Sequence, residues 1–366
     1  MRRWIAAIAA ALGLCAAQVP ASAQQQTLAI FNWTDYIAPE TLQRFEAETG
    51  IRVTYDTYDS NETLDARLRA GRSGFDLVVP SASPFLAQQI PAGLYQPLDR
   101  SKIPNWRNLD PIIMRGLELY DPGNRHAVPW MWGTTGIGYN VARVRQIMPD
   151  APLHSLRMIF DAQVVARFRG CGVQFVDSAT DGIPAALAFL GLNPDSKSSA
   201  DLNRAVEVFA RIRPNIRRFH SSEYINDLAN GDACLAFGYS GDIIQAARRA
   251  REAGRGVEIG YAIPTAEGAL TSTDTWAIPV GARNVDAAHR FIDFVLRPEI
   301  AAMNTNFIGY ANAVPASLPM VDAAIRNNPG IYPPEEVRRR LYLISPADRS
   351  YERLRTRAWT RITTGR

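Results

Sequence analysis

Short apolar runs alternate with helix-length amphipathic segments along most of this chain, and that rhythm constrains the fold more than any other feature. Residues 28–31 read as a strand, 39–49 as a helix, 51–55 as a strand, 62–70 as a helix, 75–80 as a buried strand and 84–92 as a helix. Strands that alternate with helices pair mostly in parallel, and the intervening helices cover both faces of the sheet. A second α/β unit follows over 155–257. Helical segments at 160–169, 184–190, 202–211 and 225–230 flank short strands at 172–175 and 234–237, and a charged surface helix covers 243–253. Residues 257–280 are extended, interrupted by Pro264 and Gly268, and 285–296 form an amphipathic helix. A Pro- and Gly-rich turn at 327–334 leads into a helical, basic tail. The fold class is α/β.

Residues 128–141, VPWMWGTTGIGYNV, are extended without a helical period and carry Gly133, Gly136 and Gly138. The stretch exceeds what one strand of a small sheet needs, so it reads as a crossover between two units. An internal strand with a bulge is the alternative. The chain is expected to leave a first lobe near Gly133, return near Ala262 and cross again near Tyr310. One lobe then holds 27–133 and 265–309, and the other 138–260 and 314–366.

Residues 1–23 read as a leader removed on export. Arg2 and Arg3 precede an apolar run at 5–17, and Ala21-Ser22-Ala23 offers small residues for cleavage. Cys15 follows Leu14, not the small residue a lipoprotein signal needs. About 340 residues remain, more than one core usually supports. No later apolar run is long enough to cross a bilayer, so the product is expected to be exported and soluble. The formal charge of +4 falls to +2 without Arg2 and Arg3, too mild to suggest nucleic acid. The clusters Arg248-Arg249-Ala250-Arg251, Arg338-Arg339-Arg340 and 353–361 read as solvated helix faces. Cys171 and Cys234 remain in a compartment where disulfides persist, and an even pair far apart suggests a bridge and not a metal site.

Enzyme motifs fail on spacing. His126, His154, His220 and His289 are isolated, so no metal is implied. Gly238-Tyr239-Ser240-Gly241 lacks the second glycine of a nucleophile elbow at Asp242. Gly136-Ile137-Gly138 and Gly254-Arg255-Gly256 lack the rest of a dinucleotide fingerprint, and no phosphate loop is present. No cofactor is implied. Asp59 with Glu62 carries no weight as a glycosidase pair.

Another pattern recurs at strand ends. Trp33, Thr34, Asp35 and Tyr36 follow the first strand, where ligands of open α/β sheets bind. Ser81 and Ser83 end another strand at the same edge. Asp242 follows Tyr239 and Ser240, Asp274 precedes Trp276, and Tyr310 follows Gly309. Aromatic faces beside an anion suit a cation with an apolar body. Singly, each acid reads as a helix cap or turn residue. Together they fit a cleft for an organic dication.

The segments FNWTDYIAPETLQRFEAETGIRVTYDTYDSNE, GFDLVVPSAS, MWGTTGIGYNV, RPNIRRFHSSEYINDLANGD and NPGIYPP resemble bacterial periplasmic polyamine-binding proteins of ABC transporters, especially putrescine receptors. The similarity runs along nearly the whole mature chain. It implies a two-lobed, type II solute-binding protein, with a ligand cleft between lobes joined by crossover strands. Such a protein is a periplasmic monomer that closes on a diamine and delivers it to an inner-membrane ABC permease, with no catalysis. The resemblance also implies a Cys171–Cys234 bridge. It places the ligand shell on Trp33, Thr34, Asp35, Tyr36, Ser81, Ser83, Ser221, Asp242, Asp274 and Tyr310. Asp35 and Asp274 would hold one ammonium with Thr34 assisting. Asp242 would hold the other, with Asp181 acting through water. Trp33, Tyr36, Tyr239 and Tyr310 would wall the methylene chain. Four positions depart from the putrescine receptor: Asp181 replaces Glu, Tyr239 Trp, Thr34 Ser and Ser272 Phe. The last removes an aromatic wall near Asp274 and leaves open whether putrescine, spermidine, cadaverine or agmatine is preferred. A receptor of the same fold for another cationic solute, a polyamine sensor and a secreted hydrolase are the alternatives.

Overall fold

The structure, a computed structural model, describes residues 25–71 and 73–365. The leader read at 1–23 lies outside the described residues. No described helix is long and apolar enough to cross a membrane.

The first strand, β1 (Thr27–Trp33), shows how sequence period becomes structure. Successive side chains of a strand point to opposite faces. Leu28 and Ile30 enter a core with Phe45, Phe291 and Phe294, whereas Phe31 enters another with Leu64, Phe75 and Leu86. β1 pairs in parallel with β2 (Arg52–Tyr58) and β3 (Leu77–Val78). The helix Pro39–Thr49 between β1 and β2 opens on Pro39, which has no N–H to leave unsatisfied, and ends on Gly50 at φ 69°.

The crossover stretch is one fourteen-residue strand, β4 (Ala127–Asn140). The bulge weighed as the alternative reading is present as a register shift between Pro129 and Trp132. In the second half, β5 (Val173–Phe175) pairs in parallel with β6 (Arg218–Phe219) and with β7 (Leu235–Tyr239). β8 (Ile259–Ala262) lies antiparallel on the other side of β4. β9 (Ala269–Ala277) runs antiparallel to β3 and β4, so the sheets are mixed and not purely parallel. β4 pairs with β9 up to Thr134 and with β7 from Thr135 onward. A single strand therefore belongs to both halves. β10 (Ala311–Asn312) pairs with the first part of β4, and β11 (Leu341–Tyr342) pairs with the start of β9.

The second half has its own core, in which Phe160, Phe175, Phe209 and Phe237 pack with Trp359 of the last helix, Arg349–Thr364. The helix expected over 160–169 is broken in two, Arg157–Phe160 and Ala162–Ala166, because Asp161 caps the second piece through Gln163 N–H at 3.0 Å. The helix Pro298–Ile308 was not legible in the sequence. The tail is not uniformly helical: β11 intervenes between the short helix Glu335–Arg338 and the last helix. Nor are the basic clusters simply solvated faces. Arg355 is buried, and Arg249 makes an ion pair described below. Cys171 and Cys234 are bridged with Cα atoms 5.6 Å apart, tying the turn before β5 to the residue before β7.

Candidate functional site

A cavity of about 80 Å³ opens where β4 passes from one half to the other. The first half supplies strand ends. Trp33 closes β1, with its indole N–H donating to the Val79 carbonyl at 2.9 Å, and its ring lies 4.9 Å from Tyr58, the last residue of β2. Ser81 follows β3 and is bridged to Asp274 in the middle of β9. The second half supplies helix starts. Asp181 sits in the first turn of Ala179–Phe189 and Asp242 in the first turn of Ser240–Ala253, where helix dipoles favour anions.

Asp181 is buried and Asp242 and Asp274 are half-buried, and each is seated by neutral hydroxyls. Asp274 accepts from Ser81 Oγ and from the Tyr36 phenol, both at 2.6 Å. Asp242 accepts from the Tyr224 phenol at 2.6 Å and from the Tyr310 phenol at 2.8 Å. Asp181 accepts from Thr135 at 2.6 Å, Ser178 at 2.5 Å and the Tyr239 phenol at 3.3 Å. Asp59 stands at the exposed rim, and no lysine or arginine is among the described residues lining the cavity. Burial without a cationic partner pushes the carboxyls of Asp242 and Asp274 up to about 6, against the opposing pull of their hydroxyl donors. Burial raises Asp181 as well. The phenols of Tyr36, Tyr239 and Tyr310 are held far above their ordinary range, first by burial and then by neighbouring carboxylates. They act as donors and not as bases.

Of the thirteen residues singled out in the sequence, Trp33, Thr34, Tyr36, Ser81, Ser83, Asp181, Ser221, Tyr239, Asp242, Ser272, Asp274 and Tyr310 line this cavity. Asp35 does not. It adopts φ 56°, a left-handed conformation that aspartate tolerates better than most residues. The turn sends Trp33 and Tyr36 inward and the Asp35 carboxylate to Arg249, at 2.6 Å. The carboxylate for which the resemblance implies an ammonium-holding role thus stands outside the cavity lining, paired with Arg249. Asp181 is seated on both oxygens by its own half. Ser83 and Ser221 are engaged with backbone carbonyls, Ile344 at 2.8 Å and Asp177 at 3.2 Å.

Sequence reading missed Tyr58, Asp59, Asn61, Thr180, Ser222, Ile225, Leu270, Thr271 and Ile344 as lining residues. Tyr58 carried a signal, since it ends a strand whose other residues are largely exposed. Ile344 carried none, because it arrives with the segment after β11 from far along the chain. Among the described residues, no three His, Cys, Asp or Glu side chains converge on a point that could hold a metal ion.

The family model of bacterial extracellular solute-binding proteins matches residues 40–333. The chain belongs to that family. Among relatives of this solute-binding protein, the putrescine-binding periplasmic protein PotF of Escherichia coli (strain K12) is 46% identical over 367 residues, covering 100% of this chain and 99% of the relative. The putrescine-binding periplasmic protein SpuD of Pseudomonas aeruginosa (strain UCBPP-PA14) is 50% identical over 346 residues, 94% of each chain. In the solved structures, the spermidine/putrescine ABC transporter substrate-binding protein PotD from Streptococcus pneumoniae superposes with a TM-score of 0.76 at 27% identity. It covers 93% of this chain and 99% of its own. The two-lobed solute-binding fold implied by the sequence is the fold of this family, which comprises receptors and not enzymes.

Proposed function

We propose that this protein is the periplasmic receptor of a polyamine ABC transporter, holding a linear diamine of about putrescine's size between its halves and passing it to an inner-membrane permease. The observation that carries this reading is the charge of the cavity. Asp274 from the first half and Asp181 and Asp242 from the second face one enclosed space without a lysine or arginine among its described lining residues. Moving a charge out of water costs several kcal/mol unless it is paired, so the site is completed by a ligand with a cation at each end. Asp274 takes one ammonium. Asp242 takes the other, with Asp181 behind it acting through water. Trp33, Tyr36, Tyr239 and Tyr310 cover the methylenes, each worth about 0.5–2 kcal/mol by cation–π attraction and apolar contact.

Size supports the same reading. A cavity of about 80 Å³ has room for several waters and so for a short-chain amine. The relatives named for putrescine point the same way. The lobes are proposed as 27–133 with 265–309 and 138–260 with 314–366, hinged on β4 and on the chain around 262 and 310. The ligand bridges acids on both sides, so it binds the closed arrangement better and shifts the population toward it. The protein acts as a monomer and leaves its ligand chemically unchanged.

Calorimetry with putrescine, cadaverine, spermidine and agmatine tests the proposal. Binding heat with at least one is expected, and none with all four overturns it. Mass spectrometry of ligand released from the purified protein should return an intact amine.

A further inference from the structure

We propose that Tyr224, which lies behind the cavity and outside its lining, is a positioning residue that aims the Asp242 carboxylate and ties it to the Tyr239 wall. The inference rests on the reading that Asp242 meets an ammonium, and it names what prepares that acid.

Tyr224 sits on the helix Glu223–Asn230 and is fully buried. Its phenol oxygen accepts the backbone N–H of Tyr239 at 3.1 Å and donates to Asp242 Oδ2 at 2.6 Å. The direction of that chain is fixed by chemistry. A backbone N–H can only donate, and a phenol has one proton. With the amide proton already pointing at the oxygen, the phenol's proton is left for the carboxylate. Tyr224 is thus a one-way donor that favours the ionised acid. It holds Oδ2 from behind while the Tyr310 phenol holds Oδ1 at 2.8 Å. The same oxygen fixes the end of β7, so the anion and the aromatic wall share one anchor.

The local sequence is shaped for this. A Cβ on Gly238 would lie 2.7 Å from the Tyr224 ring, and one on Gly241 would lie 1.9 Å from the Tyr310 ring. Either side chain would drive a phenol off the acid. The segment Gly238-Tyr239-Ser240-Gly241-Asp242, which resembles a nucleophile elbow short of its last glycine, is a seat that admits two phenols beside one carboxylate. The other groups facing Asp242 are the phenols of Tyr36 and Tyr239, the Asp35 carboxylate and the Arg249 guanidinium. Asp35 and Arg249 are paired with each other, so their effects on Asp242 oppose.

The test is Tyr224→Phe in the mature chain, which keeps the ring and removes only the hydroxyl. Putrescine affinity is measured by calorimetry between pH 5 and 8. The Asp242 carboxyl is titrated by carbon NMR in the ligand-free protein. Affinity at pH 7.5 should fall about ten- to hundredfold, the range for losing a hydrogen bond to a charged group. The pH at which binding is half lost and the Asp242 midpoint should both move upward. A fluorinated tyrosine at 224, which donates more strongly and keeps the packing, should move the Asp242 midpoint downward. Unchanged affinity with an unchanged midpoint overturns the proposal. So does lost affinity with neither midpoint moved, since Tyr224 would then only fill space. If the wild type binds none of the amines, the receptor reading fails, and the ligand-free titration alone still decides whether Tyr224 governs Asp242.

Discussion

The Asp35 carboxylate lies 2.6 Å from the Arg249 guanidinium, joining the turn after β1 to the helix Ser240–Ala253. Both side chains are partly exposed, and such pairs contribute about 0–1 kcal/mol. Arg249→Ala should therefore weaken amine binding by no more than about fivefold, with the change in the dissociation rate and diminished by salt. Stopped-flow fluorescence of the cavity tryptophan would follow it. Complete loss of binding in Asp35→Ala, with Arg249 intact, would return Asp35 to the ligand shell.

Asp242 and Asp274 carry the opposite expectation. Each is half-buried in the cavity wall and seated only by hydroxyls, so its removal strands one end of a diamine. Asp242→Asn and Asp274→Asn should each cost at least about a hundredfold in putrescine affinity, in line with the 3–5 kcal/mol for breaking a buried pair. Calorimetry at pH 7.5 would measure it, and a variant within threefold of wild type would exclude that acid from the site.

The same two acids set a pH dependence with a definite sign. Their carboxyls are raised from 3.8 to about 6 in the folded chain. Between those values the folded state holds more protons than the unfolded state. The stability of the ligand-free protein should accordingly fall as pH rises from about 4 to 6. Amine affinity should do the reverse, climbing through pH 6 as the carboxylates ionise and levelling above pH 7. Thermal melts with and without putrescine at pH 4.5, 6 and 7.5 would show the two trends diverging. Parallel trends would remove these acids from control.

Much of this was legible because strand and helix periods report burial directly. The apolar faces of β1 and of Val285–Val295, the aromatic strand ends and the acids at Asp242 and Asp274 all follow from local pattern. What local pattern cannot carry is direction and distance. Asp35 stands apart from Trp33 and Tyr36 because one backbone torsion turns its side chain toward Arg249. Tyr224 drew no notice in the sequence, since its role depends on β7 lying behind it. Ile344 and the antiparallel β9 reach their places through long-range pairing that no nearby residue announces.

Ser272 lines the cavity two residues before Asp274, at a position where the resemblance implies a Phe in putrescine receptors. Ser272→Phe should narrow the space and raise the preference for putrescine over spermidine by about fivefold, an aromatic contact being worth on the order of 1 kcal/mol. Competition calorimetry would give the ratio. An unchanged ratio would dismiss this position as the selector.

The Cys171–Cys234 bridge spans 63 positions of sequence. In the chain-entropy model, closing such a loop contributes about 4 kcal/mol by restricting the unfolded chain. Cys171→Ser with Cys234→Ser should lower the melting temperature by several degrees and leave putrescine affinity within about twofold, because neither residue lines the cavity. A large affinity loss at an unchanged melting temperature would contradict this.

The hydroxyl seats around the acids suggest how such a site diversifies. Tyr224 would still donate to the carbonyl oxygen of an amide at 242, while Tyr310 there, or Ser81 or Tyr36 at 274, could turn to accept from the amide nitrogen. A single-nucleotide change from aspartate to asparagine would keep the seat and delete one charge, converting a niche for a dication into one for a monocation. Because the walls contribute no fixed positive charge of their own, ligand valence can drift in evolution by counting acids, with the scaffold left untouched.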